Sequence, residues 1–138
     1  MIQRNQSFPA KACAFNEIGN FLRSFADAVG MSRDSCHKLT LIVEELFTNT
    51  VRHGHLGDSE EPVDIGLSLE PTGVTLTYAD TAPRYDSLAA AMQKDVVSAI
   101  QKHQIGGLGL VLTFGLAQAA QYAYLDGKNQ ITIRLPAK

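Results

Sequence analysis

The chain has 138 residues, a formal charge of −2, and 45% hydrophobic against 19% charged residues. That size and balance suit one globular domain with a single core, and they exclude disordered and fibrous classes. The small net charge offers no general surface for nucleic acid or acidic membrane, and no run approaches the roughly 18 apolar residues of a membrane span.

Ile2 to Phe8 is predicted as an opening strand, ended by Pro9. Phe15, Ile18, Leu22, Phe25 and Val29 then recur at steps of three and four, the spacing of one helical stripe, and Gly30 supplies a C-terminal stop. Cys13 and Cys36 stand apart without CxxC spacing. No basic-then-apolar leader is visible at the N-terminus, so a cytoplasmic location and no structural disulfide are expected.

A second helix is predicted from Ser32, whose hydroxyl caps the first turn, with Leu39, Ile42, Val43, Leu46, Phe47 and Thr50 on its buried face. At about 100° per residue, Glu45 and Asn49 share a different side, continued by Arg52 and His53, while Glu44 points elsewhere. After a loop from His55 to Glu61, Val63, Ile65, Leu67 and Leu69 alternate as a strand. The turn Pro71-Thr72-Gly73 leads into a second strand through Val74, Leu76 and Tyr78. From Asp80 to Ile105 the chain starts irregularly, offers a helix from Ser87 to about Gln101 and ends at a glycine pair, as a cover over a site would. A helix from about Leu108 to Ala120, a strand over Tyr122 to Leu125, a turn over Asp126 to Asn129 and a strand from Gln130 to Leu135 complete the order. Strands grouped in adjacent hairpins predict an α+β two-layer sandwich, with a mixed, mostly antiparallel sheet and helices on one face.

Three short patterns carry the chemistry. Glu45 and Asn49, four apart on a helix, bring a carboxylate and an amide to one patch. The amide oxygen suits Mg²⁺ beside phosphates, and the carboxylate suits proton abstraction from a hydroxyl or water; the bland alternative is an exposed polar helix face. Gly106-Gly107-Leu108-Gly109-Leu110 offers bare backbone ahead of a helix, where phosphates are well received, although glycines also serve as hinges. Asp80 follows a strand that runs into the core and there needs donors, such as the amino group of adenine; in a turn it needs none.

These patterns are not a P-loop, for no Gly-Lys-Ser/Thr ending is present, and no Gly-x-Ser-x-Gly elbow marks a hydrolase. His53-Gly54-His55 lacks further ligands for a metal, and His37 and His103 read as surface residues.

Taken together and in order, the patterns resemble the ATP-binding superfamily of gyrase, histidine kinases and related chaperones, and within it the anti-sigma-factor serine/threonine kinases. Leu41 to Gly54 is similar to that family's first box, Asp80 to Asp86 to its adenine-contacting box, and Gly106 to Leu110 to its glycine box. The resemblance spans nearly the whole chain. It implies a Bergerat-type ATP-binding fold in one domain, residues 1–138, with a lid around residues 81–106. It further implies ATP and Mg²⁺ as cofactors, Glu45 as catalytic base and Asn49 as Mg²⁺ ligand. The nucleotide site would take in Arg52, His53, Asp80, Ala82, Gly106, Gly107, Leu108, Gly109 and Leu110. The implied activity is transfer of the ATP γ-phosphate to a small antagonist protein, with a sigma factor held on another face, regulation of transcription by partner switching, and a homodimer. A histidine kinase with its own dimerisation helices is not expected. The chain departs from the family where Ala82 replaces a usual glycine and Arg84 replaces a small residue or proline. Those two positions motivate the competing reading, a non-catalytic module of the same fold that sequesters a partner with nucleotide only as a ligand, or without it.

Overall fold

Apolar residues at every second position of three strands face the same side and close the core against two long helices. The computed structural model of the chain describes residues 2–92, 117 and 119–138. The strands are β1 (Gln3–Pro9), β2 (Pro62–Glu70), β3 (Gly73–Asp80), β4 (Ala119–Leu125) and β5 (Lys128–Leu135). They lie in the order β1-β2-β3-β5-β4, and every pairing is antiparallel. The mixed, mostly antiparallel expectation therefore sharpens to an antiparallel sheet among the described residues.

Val63, Ile65 and Leu67 of β2, Val74, Leu76 and Tyr78 of β3, and Ile131, Ile133 and Leu135 of β5 are buried in one cluster with residues of both long helices. The alternate residues Asp64, Gly66 and Ser68, Thr75, Thr77 and Ala79, and Gln130, Thr132 and Arg134 make the opposite face polar, as the two-residue period of a strand requires.

Helix α1 (Phe15–Val29) buries Ile18, Leu22 and Phe25 on the predicted stripe. It ends at Gly30, whose φ of 71° lets Met31 N–H reach Ala26 O at 2.9 Å. That left-handed residue and backward bond terminate a helix without orphaning its last carbonyls. Helix α2 (Arg33–Asn49) begins at Ser32, whose hydroxyl accepts from Ser35 N–H at 3.0 Å. Leu39, Ile42, Val43, Leu46 and Phe47 are all buried, as predicted.

Three local expectations change. The chain does not leave α2 directly into a loop: Thr50–Gly54 forms one π-helical turn, closed by His55 N–H on Thr50 O at 2.9 Å. The β4–β5 turn uses only Asp126 and Gly127, with φ of 53° and 75°, so β5 starts at Lys128 rather than Gln130. Two consecutive positive φ values match the twist of a tight hairpin and suit Asp-Gly. Ala119 and Ala120 belong to β4, so the helix predicted to end at Ala120 cannot reach that far. The β4–β5 ladder claims both residues, pairing Ala119 with Arg134 and Ala120 with Ile133. Of the helix predicted from Ser87 to Gln101, the described part is α3 (Ser87–Met92), with Asp86 Oδ1 accepting from Ala89 N–H at 2.8 Å. The rest of it, and the helix from Leu108, lie largely outside the described residues. Both cysteines are free, Cys13 exposed and Cys36 half-buried.

Candidate functional site

Capping at Ser32 and burial of the Leu39 to Phe47 stripe set the rotation of α2. They leave Glu45 and Asn49 half-buried near its C-terminal end and Glu44 exposed. Burial, followed by the charge of Glu44, pushes the Glu45 carboxyl above its ordinary value. A raised carboxyl is the stronger proton acceptor, and burial penalises its charged form. Arg52 and His53, on the π-helical turn, are exposed.

β3 is the middle strand of the five, and Asp80 ends it on the side that Tyr78 faces. The Thr50 hydroxyl, first residue of the π-helical turn, joins the two halves of the site. Its Oγ1 lies 2.8 Å from Asp80 Oδ2, 2.7 Å from the Tyr78 hydroxyl and 3.0 Å from Leu46 O. Tyr78 is only 3% exposed, and burial, only partly offset by Thr50, keeps its phenol protonated well above the ordinary range. The tyrosine therefore donates to Thr50, whose own proton is shared between Asp80 Oδ2 and Leu46 O. Thr50 directly follows Asn49, so the residue that ends α2 adjoins along the chain the hydroxyl that holds Asp80.

Register brings in a residue that sequence reasoning passed over. Asp80 pairs with Asn129 across β3 and β5. The Asn129 amide nitrogen reaches Asp80 Oδ1 at 3.0 Å, Ala82 O at 3.0 Å and Pro83 O at 3.1 Å, while its oxygen accepts from Tyr85 N–H at 2.9 Å and from the Tyr122 hydroxyl at 2.6 Å. Ala82 N–H also donates to Asp80 Oδ1, at 3.2 Å. A carboxylate has about four lone-pair positions. With two donors on Oδ1 and one on Oδ2, Asp80 keeps one position for a further N–H donor, as an exocyclic amino group supplies.

The two positions that depart from the resembled pattern are both placed. Ala82 is buried against the π-helical turn, where a Cβ on Gly54 would come within 2.7 Å of the Ala82 methyl. The extra methyl is thus accommodated by a residue with no side chain. Arg84 stacks over the ring of Tyr124 with 5.3 Å between guanidinium carbon and ring centroid, a cation–π arrangement on β4.

Asp80 and Ala82 are joined by a hydrogen bond and meet the π-helical turn at Thr50 and Gly54. Glu45 and Asn49 are among the α2 residues that precede that turn, whereas Gly106, Gly107, Leu108, Gly109 and Leu110 lie outside the described residues. Among the described residues no three His, Cys, Asp or Glu side chains cluster as a metal site. Thr50 was legible only as a buried helix position, and Asn129 only as a turn residue. Shortening the Asp-Gly turn to two residues is the one sequence signal that places Asn129 in a strand.

An ATP-binding fold is recognisable in this arrangement, and residues 8–135 match the family model described as a histidine kinase-like ATPase domain. The chain belongs to that family. Among solved structures, a chain in the crystal structure of the SiaB–SiaC complex from Pseudomonas aeruginosa has a similar fold. Its TM-score is 0.62 at 20% identity, over 96% of this chain and 88% of the other. No curated protein matches the sequence. No helix among the described residues is long and apolar enough to cross a membrane.

Proposed function

We propose that this histidine kinase-like ATPase domain is an ATP-dependent serine/threonine protein kinase of the anti-sigma-factor type. It transfers the γ-phosphate to a hydroxyl of a small antagonist protein and so regulates transcription by partner switching. The observation that carries the reading is the meeting of the π-helical turn and β3 through Thr50, the residue after Asn49, at an Asp80 carboxylate with one acceptor position left. Asp80 receives the amino group of the base, Asn49 holds Mg²⁺ together with phosphate oxygens, and Glu45 accepts the proton of the attacking hydroxyl. Mg²⁺, when bound, neutralises phosphate charge, and the Gly106 to Gly109 backbone shares that task. Arg52 and His53 line the outer edge of the same turn.

A protein partner is supported by the SiaB–SiaC complex, in which a chain of similar fold occurs. The antagonist is the phosphate acceptor, a sigma factor is the second partner, and a homodimer and a cytoplasmic location complete the proposal. The competing reading of a non-catalytic binding module rests on Ala82 and Arg84, and packing of the first on Gly54 and the second on Tyr124 weakens that case.

Mg-ATP at a hundred times its Kd stabilises the folded state by about 2.7 kcal/mol, which a thermal unfolding curve detects. Labelled ATP with the cognate antagonist gives labelled phosphoserine or phosphothreonine, and Glu45→Gln lowers transfer about a hundredfold or more while keeping the thermal shift. A thermal shift without transfer to a verified partner favours the binding module. Absence of any shift refutes the nucleotide site.

A further inference from the structure

Asn129 is 8% exposed, and every hydrogen-bonding capacity of its amide is used. Two protons are shared among Asp80 Oδ1, Ala82 O and Pro83 O, and the oxygen takes Tyr85 N–H and the Tyr122 hydroxyl. Those contacts reach the carboxylate itself, the backbone of Ala82, Pro83 and Tyr85 on the way from β3 to α3, and the Tyr122 hydroxyl on β4. Serine or threonine in this place has one proton and one oxygen, and aspartate has no proton to give beside a second carboxylate. Only a carboxamide of this length donates to a carboxylate and two carbonyls while accepting from an amide and a phenol. Strand register makes the contact possible, since Asn129 stands opposite Asp80 on β3 and opposite Tyr124 on β4.

We infer that Asn129 is the positioning residue that sets base selectivity: it holds Asp80 so that its one unused acceptor position meets the exocyclic amino group of adenine. The inference rests on the nucleotide-site reading and extends it to a residue outside the three sequence boxes. Without the amide, Asp80 Oδ1 loses its strongest orienting partner. The carboxylate then rotates about its own side-chain bonds, and the 82–85 backbone loses its tether. Phosphate contacts, made elsewhere, are untouched.

The test measures binding of Mg-ATP and Mg-ITP, which differ where adenine carries an amino group and hypoxanthine a carbonyl oxygen, to wild type and to Asn129→Ala. Wild type is expected to prefer ATP. In Asn129→Ala the ATP affinity falls about ten- to a hundredfold, the size of a lost hydrogen bond to a charged group. ITP affinity changes by less than about threefold, so the preference collapses. Tyr122→Phe removes the donor at 2.6 Å from Asn129 Oδ1 and shifts the preference in the same direction by a smaller factor, which keeps the test open if Asn129→Ala does not fold. Equal loss of both nucleotides, as a merely structural role produces, overturns the assignment, and so does an unchanged preference in both variants. A wild-type chain that binds ATP and ITP equally also overturns it, whereas one that binds neither refutes the nucleotide site from which it follows.

Discussion

Gly54→Ala probes the tightest contact in the site. A Cβ at this position lies 2.7 Å from the Ala82 methyl, about 1 Å short of an ordinary carbon contact. Gly54 does not have a left-handed φ, so the cost is steric and not a backbone preference. Ala82 cannot easily recede, because its N–H is held by Asp80 at 3.2 Å and its carbonyl by Asn129 at 3.0 Å. Overpacking of this kind costs about 1–3 kcal/mol, which for a domain of this size lowers Tm by about 3–10 °C. Thermal and urea unfolding followed by circular dichroism measure it. The decisive variant is Gly54→Ala with Ala82→Gly, which moves one methyl across the contact and recovers most of the loss, a coupling of about 1–2 kcal/mol. Wild-type stability in Gly54→Ala, or no recovery in the double variant, would refute the argument that Gly54 accommodates Ala82.

Thr50→Val leaves the buried Tyr78 hydroxyl without its partner and costs about 1–3 kcal/mol in urea unfolding, whereas Thr50→Val with Tyr78→Phe is more stable than Thr50→Val alone, because no buried donor remains unpaired. For Glu45 the folded carboxyl is raised, so its contribution to stability is present below the unfolded value and is lost as pH rises through the folded one. Glu45→Gln is therefore at least as stable as wild type at neutral pH, with the gap closing in acid, while phosphotransfer falls about a hundredfold or more. Transfer by the wild type declines toward acid at a pH above that of an ordinary glutamate, which a pH–rate profile reads.

Asp64 has the opposite sign. Burial alone would raise it, but Lys128 Nζ at 2.7 Å and the Ser7 hydroxyl hold it below its ordinary value. Asp64→Asn costs about 0.5 kcal/mol at neutral pH for this solvent-screened pair. The difference fades as pH falls through the folded carboxyl, as denaturation at graded pH will show.

Much of this molecule is legible along the chain because the information is local. A 3.6-residue stripe from Leu39 to Phe47 with a serine cap determines where α2 starts and which way Glu45 and Asn49 turn. Period-two alternation likewise determines the faces of β2 and β3 and hence the side on which Asp80 emerges. Asp-Gly determines a hairpin, although the two-residue form of the turn had to be seen before β5 could be started at Lys128.

Tertiary structure decided what those local signals leave open. Thr50 and Asp80 are 30 residues apart and Asp80 and Asn129 are 49 apart, and their meeting depends on packing and strand register, to which no periodicity refers. The same holds for the π-helical turn that sets Gly54 beneath Ala82, and for the ladder that drew Ala119 and Ala120 into β4. The sequence by itself determined which chemical groups this protein has and the local elements that carry them. Long-range pairing alone decided that a threonine, a tyrosine and an asparagine outside the assigned roles orient the carboxylate at its centre, because hydrogen bonds between distant residues exist only once the sheet is in register.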